Sequence, residues 1–323
     1  MTRPRVFLTR RWPAAVEEAL AQHFEVVRNL PDRPLTTAEL AAAVAEFDAV
    51  CPTVTDAVTA EVIGDGSGRA RILGNFGVGY NHIDIEAARA AGIAVTNTPH
   101  VLTDCTADLA LTLMLMLARR AGEGERVVRA GTWSGWNPTQ LLGSRLSGKV
   151  LGLIGFGRIA QAVARRAHFG FGMRILFHTP RLPLPELSNA LGAGACGSVE
   201  ELLECADFVS LHCPGGAATR HLIDARRLAC MRPHAFLINT ARGSIVDTDA
   251  LVAALRDGGI AGAGLDVYEE EPNVPVALKT MDNVVLLPHL GSATVETRNA
   301  MGRRVIANLE QFFAGGEPPD RVI

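Results

Sequence analysis

Apolar residues along this chain gather in short continuous runs separated by longer stretches of helical periodicity. The runs Val6–Thr9, Phe24–Val27, Ala49–Cys51, Arg71–Gly74 and Ile93–Thr96 have the length and continuity of strands buried on both faces of a parallel sheet. Between them the spacing predicts helices over Pro13–Gln22, Leu40–Phe47 and Ile85–Ala91, and Thr36 followed by Glu39 forms a capping-box signature ahead of the second. The scheme restarts at Val150 and continues through Arg174–Phe177, Phe208–His212, Ala235–Asn239, Ala263–Asp266 and Val284–Leu287, with helices such as Val199–Cys205 and Thr248–Arg256 in between. Strand and helix in alternation argue for two doubly wound α/β units. A long apolar helix, Thr103–Arg120, lies between them. A last one, Ser292–Ala314, is closed by Gly315-Gly316. The second unit already has its strands, so this helix is expected to return to the first, making that domain discontinuous. Residues 1–100 plus 290–323 would then form one domain and 101–289 the other, with a hinge and a ligand cleft between them.

Gly152-Leu-Ile-Gly155-Phe-Gly157-Arg158-Ile159-Ala160 follows directly on the run Val150–Ile154 and opens a helical stretch, Ile159–His168. Binding a dinucleotide pyrophosphate requires that order. Gly155 permits the tight turn, Gly157 lets the backbone approach the phosphates, and Ala160 allows close helix–strand packing. Strand ends in such sheets point at the ligand crevice, and three polar clusters stand at strand ends: Asn239-Thr240-Ala241-Arg242-Gly243, Gly264–Pro272, and Pro288-His289-Leu-Gly291-Ser292. Taken together they suit hydride transfer. Reduction of a carbonyl needs a proton donor on oxygen and a cation to hold an acid group. The imidazole of His289 can shuttle the proton, Glu271 can fix its tautomer and stabilise the imidazolium, and Arg242 can clamp a carboxylate. Glu269 and Glu270 read as a solvated acidic loop. No metal is needed.

Composition narrows the classes. At 323 residues and a net charge of −3 the chain has room for two cores and no basic excess for nucleic acid. Its six cysteines show neither CxxC nor His/Cys ligand spacing and are expected as reduced thiols of a cytoplasmic protein. The N-terminus lacks a signal-peptide core, and Leu109–Ala118 is far short of the roughly 20 residues that span a bilayer.

Over its whole length the chain resembles the D-isomer-specific 2-hydroxyacid dehydrogenases, most of all their glyoxylate/hydroxypyruvate reductase branch. The resemblance is carried by Gly77-Val78-Gly79-Tyr-Asn-His-Ile-Asp84, Gly152–Ala160, Asn239–Gly243, Gly264–Pro272 and Pro288–Ala293. It implies a Rossmann-type cofactor domain inserted in a smaller, flavodoxin-like substrate domain. It also implies catalytic roles for Arg242, Glu271 and His289 and a substrate-carboxylate site at the backbone of Val78 and Gly79. Thr106 would lie near the nicotinamide and Asp266 near its carboxamide. The cofactor-binding set is completed by Gly155, Gly157, Arg158, Ile159, Cys213, Pro214, Thr219, Thr240, Ala241 and Gly291. A homodimer is implied by the resemblance, and its one independent support is the apolar helix Leu109–Ala118.

One departure bears on the cofactor. The strand after the glycines ends Phe177-His178-Thr179-Pro180-Arg181, and no acidic residue occurs between Glu125 and Glu186. NAD-specific sites carry an acid there. Thr179 and Arg181 could instead hold a 2′-phosphate, so NADPH is expected to be preferred and NADH to remain possible. Trp133 or Trp136 could cap the substrate cleft or serve as a local packing anchor. The small residues of Cys51-Pro52-Thr53-Val54 suit a short 2-oxo acid. The competing activities are formate oxidation, disfavoured by Glu271, and phosphite oxidation. A dinucleotide-sensing corepressor or scaffold without turnover is the alternative outside enzymes.

Overall fold

The computed structural model describes residues 3–180 and 185–323, which fall into two compact units, residues 3–102 with Ser292–Ile323 and Thr103–Gly291. Unit 1 is built on five parallel strands: β1 (Arg5–Leu8), β2 (Glu25–Arg28), β3 (Ala49–Cys51), β4 (Ile72–Gly74) and β5 (Ala94–Thr96). They run in the order β2-β1-β3-β4-β5, the flavodoxin-like arrangement. Val6, Leu8, Ile72, Leu73 and Val95 have no exposed surface, which is why these strands read as unbroken apolar runs. The helix Thr37–Glu46 begins with the capping box read from the sequence: Thr36 and Glu39 each take the other's backbone N–H. The closing helix of this unit, Val295–Phe313, runs up to the glycine pair, where Gly315 adopts φ +84°. Beyond it Asp320 is buried, accepting from Arg304 at 2.6 Å and from the Asn308 side chain at 3.2 Å, and Arg321 forms an isolated bridge to Thr96 at the end of β5.

Unit 2 carries seven parallel strands: β6 (Val150–Ile154), β7 (Arg174–His178), β8 (Ala193–Ala195), β9 (Phe208–Leu211), β10 (Phe236–Asn239), β11 (Gly262–Leu265) and β12 (Val284–Leu286). Their order, β12-β11-β10-β9-β6-β7-β8, reverses between β6 and β9, and this Rossmann-type switch is where doubly wound sheets bind ligands. The strand β8 carries no signal in the sequence. Ala-Gly-Ala has no β-branched residue to mark it, and as an edge strand it needs none. The helix Thr103–Ala118 is spent on this unit's own core, with Ala110, Leu113 and Met114 fully buried and Leu115 its exposed apolar residue. The apolar character that had supported an oligomer is therefore mostly explained by packing inside the unit. A group of exposed apolar residues follows that helix, Val128, Trp133, Trp136 and Leu142, the last three in the irregular stretch after the helix Ala121–Arg129. Trp136, 81 % exposed, is no packing anchor within the described chain, whereas Trp133 hydrogen-bonds Gln140 at 3.2 Å. All six cysteines are free thiols. Among the described residues no helix is long and apolar enough to cross a membrane.

Candidate active site

Five neighbouring strands of unit 2 end in register, Ile154 beside Leu211, Leu211 beside Asn239, Asn239 beside Leu265 and Leu265 beside Leu286. The segments that follow them therefore share one edge of the sheet. These segments carry Gly155, Cys213, Arg242, Asp266 with Glu271, and His289. At the switch point Gly155 turns with φ +86°, and a Cβ there would lie 2.8 Å from the Cys213 nitrogen and from the His212 carbonyl carbon. Only glycine meets both demands. Gly157 starts the helix Arg158–Phe171 without a side-chain cap, a Cβ on it would meet open space, and Arg158 is exposed while Ile159 is half-buried. The first amides of that helix are thus available to an anion. Ala160 is fully buried where helix meets sheet.

The loop after β9 is shaped from within. Thr219 donates to the Pro214 carbonyl at 2.7 Å. Burial pushes the Cys213 thiol up to about 11 and holds His212 down to about 4, neutral, with Nε2 2.9 Å from the Ser210 hydroxyl. After β10, Asn239 steadies the turn by accepting from Ala241 N at 3.0 Å and donating to the Arg242 carbonyl at 2.9 Å. The Thr240 hydroxyl is buried with no hydrogen-bond partner, an open valence at the crevice edge that a cofactor hydroxyl or phosphate would satisfy. Arg242 donates to the Ala241 carbonyl at 2.6 Å. Burial lowers its pKa, and the charge of Glu271 opposes that.

Two glycines to which the sequence assigns no role make this arrangement possible. A Cβ on Gly215 would sit 2.8 Å from the Arg242 Cγ, so its absence makes room for the arginine stem. A Cβ on Gly243 would fall 1.9 Å from the Tyr268 carbonyl carbon. The Arg242 and Glu271 loops are thus packed backbone to backbone. The signal in the sequence was a glycine just past a strand end, after Pro214 and after Arg242, which short strand-end turns also explain.

Both oxygens of Glu271 are engaged. Oε1 accepts from Tyr268 N at 3.0 Å and Oε2 lies 2.8 Å from His289 Nδ1. Burial pushes its carboxyl up, but the bond and charge of His289, the Tyr268 amide and Arg242 outweigh that and hold it below the usual range. The Nδ1–H donated to a carboxylate leaves Nε2 as the ring atom that can meet a substrate. His289 itself sits at φ +55°, the left-handed region disfavoured for a residue with a side chain. Asp266 holds it there. Its backbone carbonyl accepts from His289 N at 2.9 Å, and its carboxylate accepts from Leu290 N at 2.6 Å and Gly291 N at 2.8 Å. Burial raises the Asp266 carboxyl, and these two amides and the charge of His289 only partly offset it. Thr106 donates to the Gly291 carbonyl at 2.9 Å, bringing Thr106, Asp266 and Gly291 together.

Glu269 departs from the solvated-loop expectation. It pairs with Arg220 at 2.7 Å and His221 at 2.8 Å, because the chain folds the 219–223 segment against it. Glu270 is exposed. Thr179 is half-buried just past β7, and Arg181 lies outside the described residues. Val78 and Gly79 follow β4 in unit 1 and are half-buried.

The model of the D-isomer specific 2-hydroxyacid dehydrogenase NAD-binding domain matches residues 111–291. The chain is 45 % identical to a glyoxylate reductase of Thermococcus litoralis, over 99 % of this chain and 97 % of that protein. It is 47 % identical to another from Thermococcus kodakarensis, over 99 % and 96 %. Among solved structures it is similar to an NADPH-dependent glyoxylate/hydroxypyruvate reductase from Sinorhizobium meliloti in complex with NADP and malonate. That match has a TM-score of 0.88 and 39 % identity, covering 99 % of this chain and 97 % of the other. With the glycine turn, the strand-end arginine and the Glu271–His289 pair on one sheet edge, this chain belongs to the D-isomer specific 2-hydroxyacid dehydrogenase family.

Proposed function

We propose that this protein reduces a short 2-oxo acid, glyoxylate or hydroxypyruvate, to the D-2-hydroxy acid with NADPH. The 2.8 Å bond between Glu271 and His289 Nδ1 carries the reading, because it orients a proton donor on the sheet edge that also bears Arg242. The free amides behind Gly157 and the unpartnered Thr240 hydroxyl fit a dinucleotide, and Thr106, Asp266 and Gly291 form the group suited to its carboxamide end. When bound, the nicotinamide supplies the hydride. Arg242 polarises the substrate C=O, and protonated His289 delivers a proton from Nε2 to the oxygen. The C=O thus becomes C–H and O–H, and Glu271 stabilises the imidazolium before transfer. Val78 and Gly79 receive the substrate carboxylate through backbone N–H groups.

The preference for NADPH rests on Thr179 and on the absence of any acidic residue from Glu125 to Glu186. Initial rates of NADPH and NADH oxidation with glyoxylate, hydroxypyruvate, pyruvate and phenylpyruvate test both parts. Faster NADPH oxidation with the two small acids is expected. Faster NADH oxidation would overturn the phosphate reading alone, and NADPH binding without turnover would favour a sensing scaffold. We place the protein in the cytoplasm on its free thiols. We propose a homodimer on the exposed surface of Val128, Trp133, Trp136 and Leu142. Sedimentation that returns a monomer would defeat it.

A further inference from the structure

In unit 1 the carbonyls of three successive residues all accept from within the unit. Gly77 O accepts from the Asn75 side-chain amide at 3.0 Å and from Thr98 N at 3.0 Å. Val78 O accepts from the Asn97 side-chain amide at 2.8 Å, and Gly79 O from that of Asn75 at 3.0 Å. Because Asn75 spends its Nδ2 on carbonyls, its Oδ1 is the acceptor towards His82, whose Nε2 donates at 3.0 Å. A trans peptide directs the N–H of one residue opposite to the carbonyl of the residue before it. Drawing in the Gly77 carbonyl therefore turns the Val78 N–H outward, and drawing in the Val78 carbonyl turns out that of Gly79. Neither N–H has a partner among the described residues, and both residues are half-exposed whereas Asn75 is fully buried.

We propose that Asn75 and Asn97 are positioning residues that set this anion-binding turn. Asn75 aims the Val78 N–H and Asn97 aims that of Gly79, so the pair determines affinity for the carboxylate of the substrate. The proposal rests on the reading that the Val78–Gly79 backbone receives that carboxylate. It assigns the recognition to two side chains that never touch the substrate. Their substitution is then expected to change KM rather than kcat, since the proton donor lies elsewhere in the chain.

The test can observe the two amides directly. Gly77-Val78 and Val78-Gly79 are the only Gly-Val and Val-Gly pairs in the chain. Labelling one residue type with carbonyl ¹³C and the other with ¹⁵N therefore isolates each signal in the full-length protein. Titration with oxamate, an unreactive analogue of a 2-oxo acid, is expected to shift both amides in the wild type. Asn97→Ala is expected to weaken oxamate and raise the KM for glyoxylate about tenfold, as the loss of one oriented hydrogen bond typically does. Its kcat should stay within about twofold and its NADPH affinity should not change. If neither wild-type amide moves with oxamate, the carboxylate reading fails and the proposal with it. If they move and Asn97→Ala binds oxamate as the wild type does, the proposal alone fails. Thermal unfolding checks the fold of each variant. Should Asn97→Ala not fold, Asn97→Ser, too short to reach the Val78 carbonyl, carries the same expectations.

Discussion

The two edges of the seven-stranded sheet in unit 2 treat charge in opposite ways. At the edge where β6 and β9 begin, Asp207 is almost buried and fully served. It accepts from Val150 N at 2.8 Å and from His234 at 2.8 Å, with Lys149 and Arg232 within 4.0 Å. Burial pushes its carboxyl up, and these partners more than reverse the shift. At the opposite edge Arg242 is lowered by burial, Asp266 is raised by it, the Thr240 hydroxyl is orphaned and His289 is held at φ +55°. One edge satisfies its polar groups for stability. The other leaves valences and strain in place for a reaction. Substitutions should therefore separate cleanly, costing activity at one edge and stability at the other.

The largest effect is expected at His289. His289→Ala should lower the reduction rate by roughly 10²–10⁴-fold while NADPH binding and the melting temperature hold. Retained turnover would remove His289 from the mechanism. Gly243→Ala should come next, because a Cβ 1.9 Å from the Tyr268 carbonyl carbon forces two loops apart. We expect roughly 1–3 kcal/mol of lost stability, with at least about tenfold lost activity. It is the one substitution at the reactive edge that should lower both, and unchanged melting would show that the loops yield freely.

Glu271→Gln sharpens the comparison. It removes the carboxylate that orients His289 through Nδ1, and the reduction rate at neutral pH should fall about tenfold while NADPH binding and the melting temperature hold. An unchanged rate would mean that Glu271 does not support the proton donor. The smallest effect belongs to the opposite edge. Asp207→Asn should cost about 1–3 kcal/mol in chemical denaturation and leave kcat unchanged. Because the folded carboxyl of Asp207 is depressed, its contribution is present above the ordinary carboxyl range. It is lost as pH falls through the folded value. An acid sensitivity equal to wild type in Asp207→Asn would assign that stability to another group.

Legibility followed the range of the forces involved. Strand runs were readable because burial on both faces demands continuous apolar residues, and the Thr36 capping box because its partners are three residues apart. The strand β8 was not readable, since an edge strand of Ala-Gly-Ala carries no packing requirement. Nothing local to Glu269 signals its pairing, because its partners Arg220 and His221 lie far back in the sequence. No role for Gly215 or Gly243 is legible in the sequence, because their necessity lies in what approaches them, respectively the Arg242 stem and the Tyr268 backbone.

By itself the sequence determined the class of fold, the alternation of its elements and the turn between β6 and its helix, since local periodicity and backbone sterics act within a few residues. It also determined which side chains stand just past strand ends. Only the tertiary structure decided which of them meet. The Glu271–His289 bond, the Asp266 grip on Leu290 and Gly291, and the bond from Thr106 to Gly291 across 185 positions of sequence depend on distances set by sheet register and helix packing. No local pattern encodes these, because a hydrogen bond between distant segments exists only once the whole core has brought them within about 3 Å.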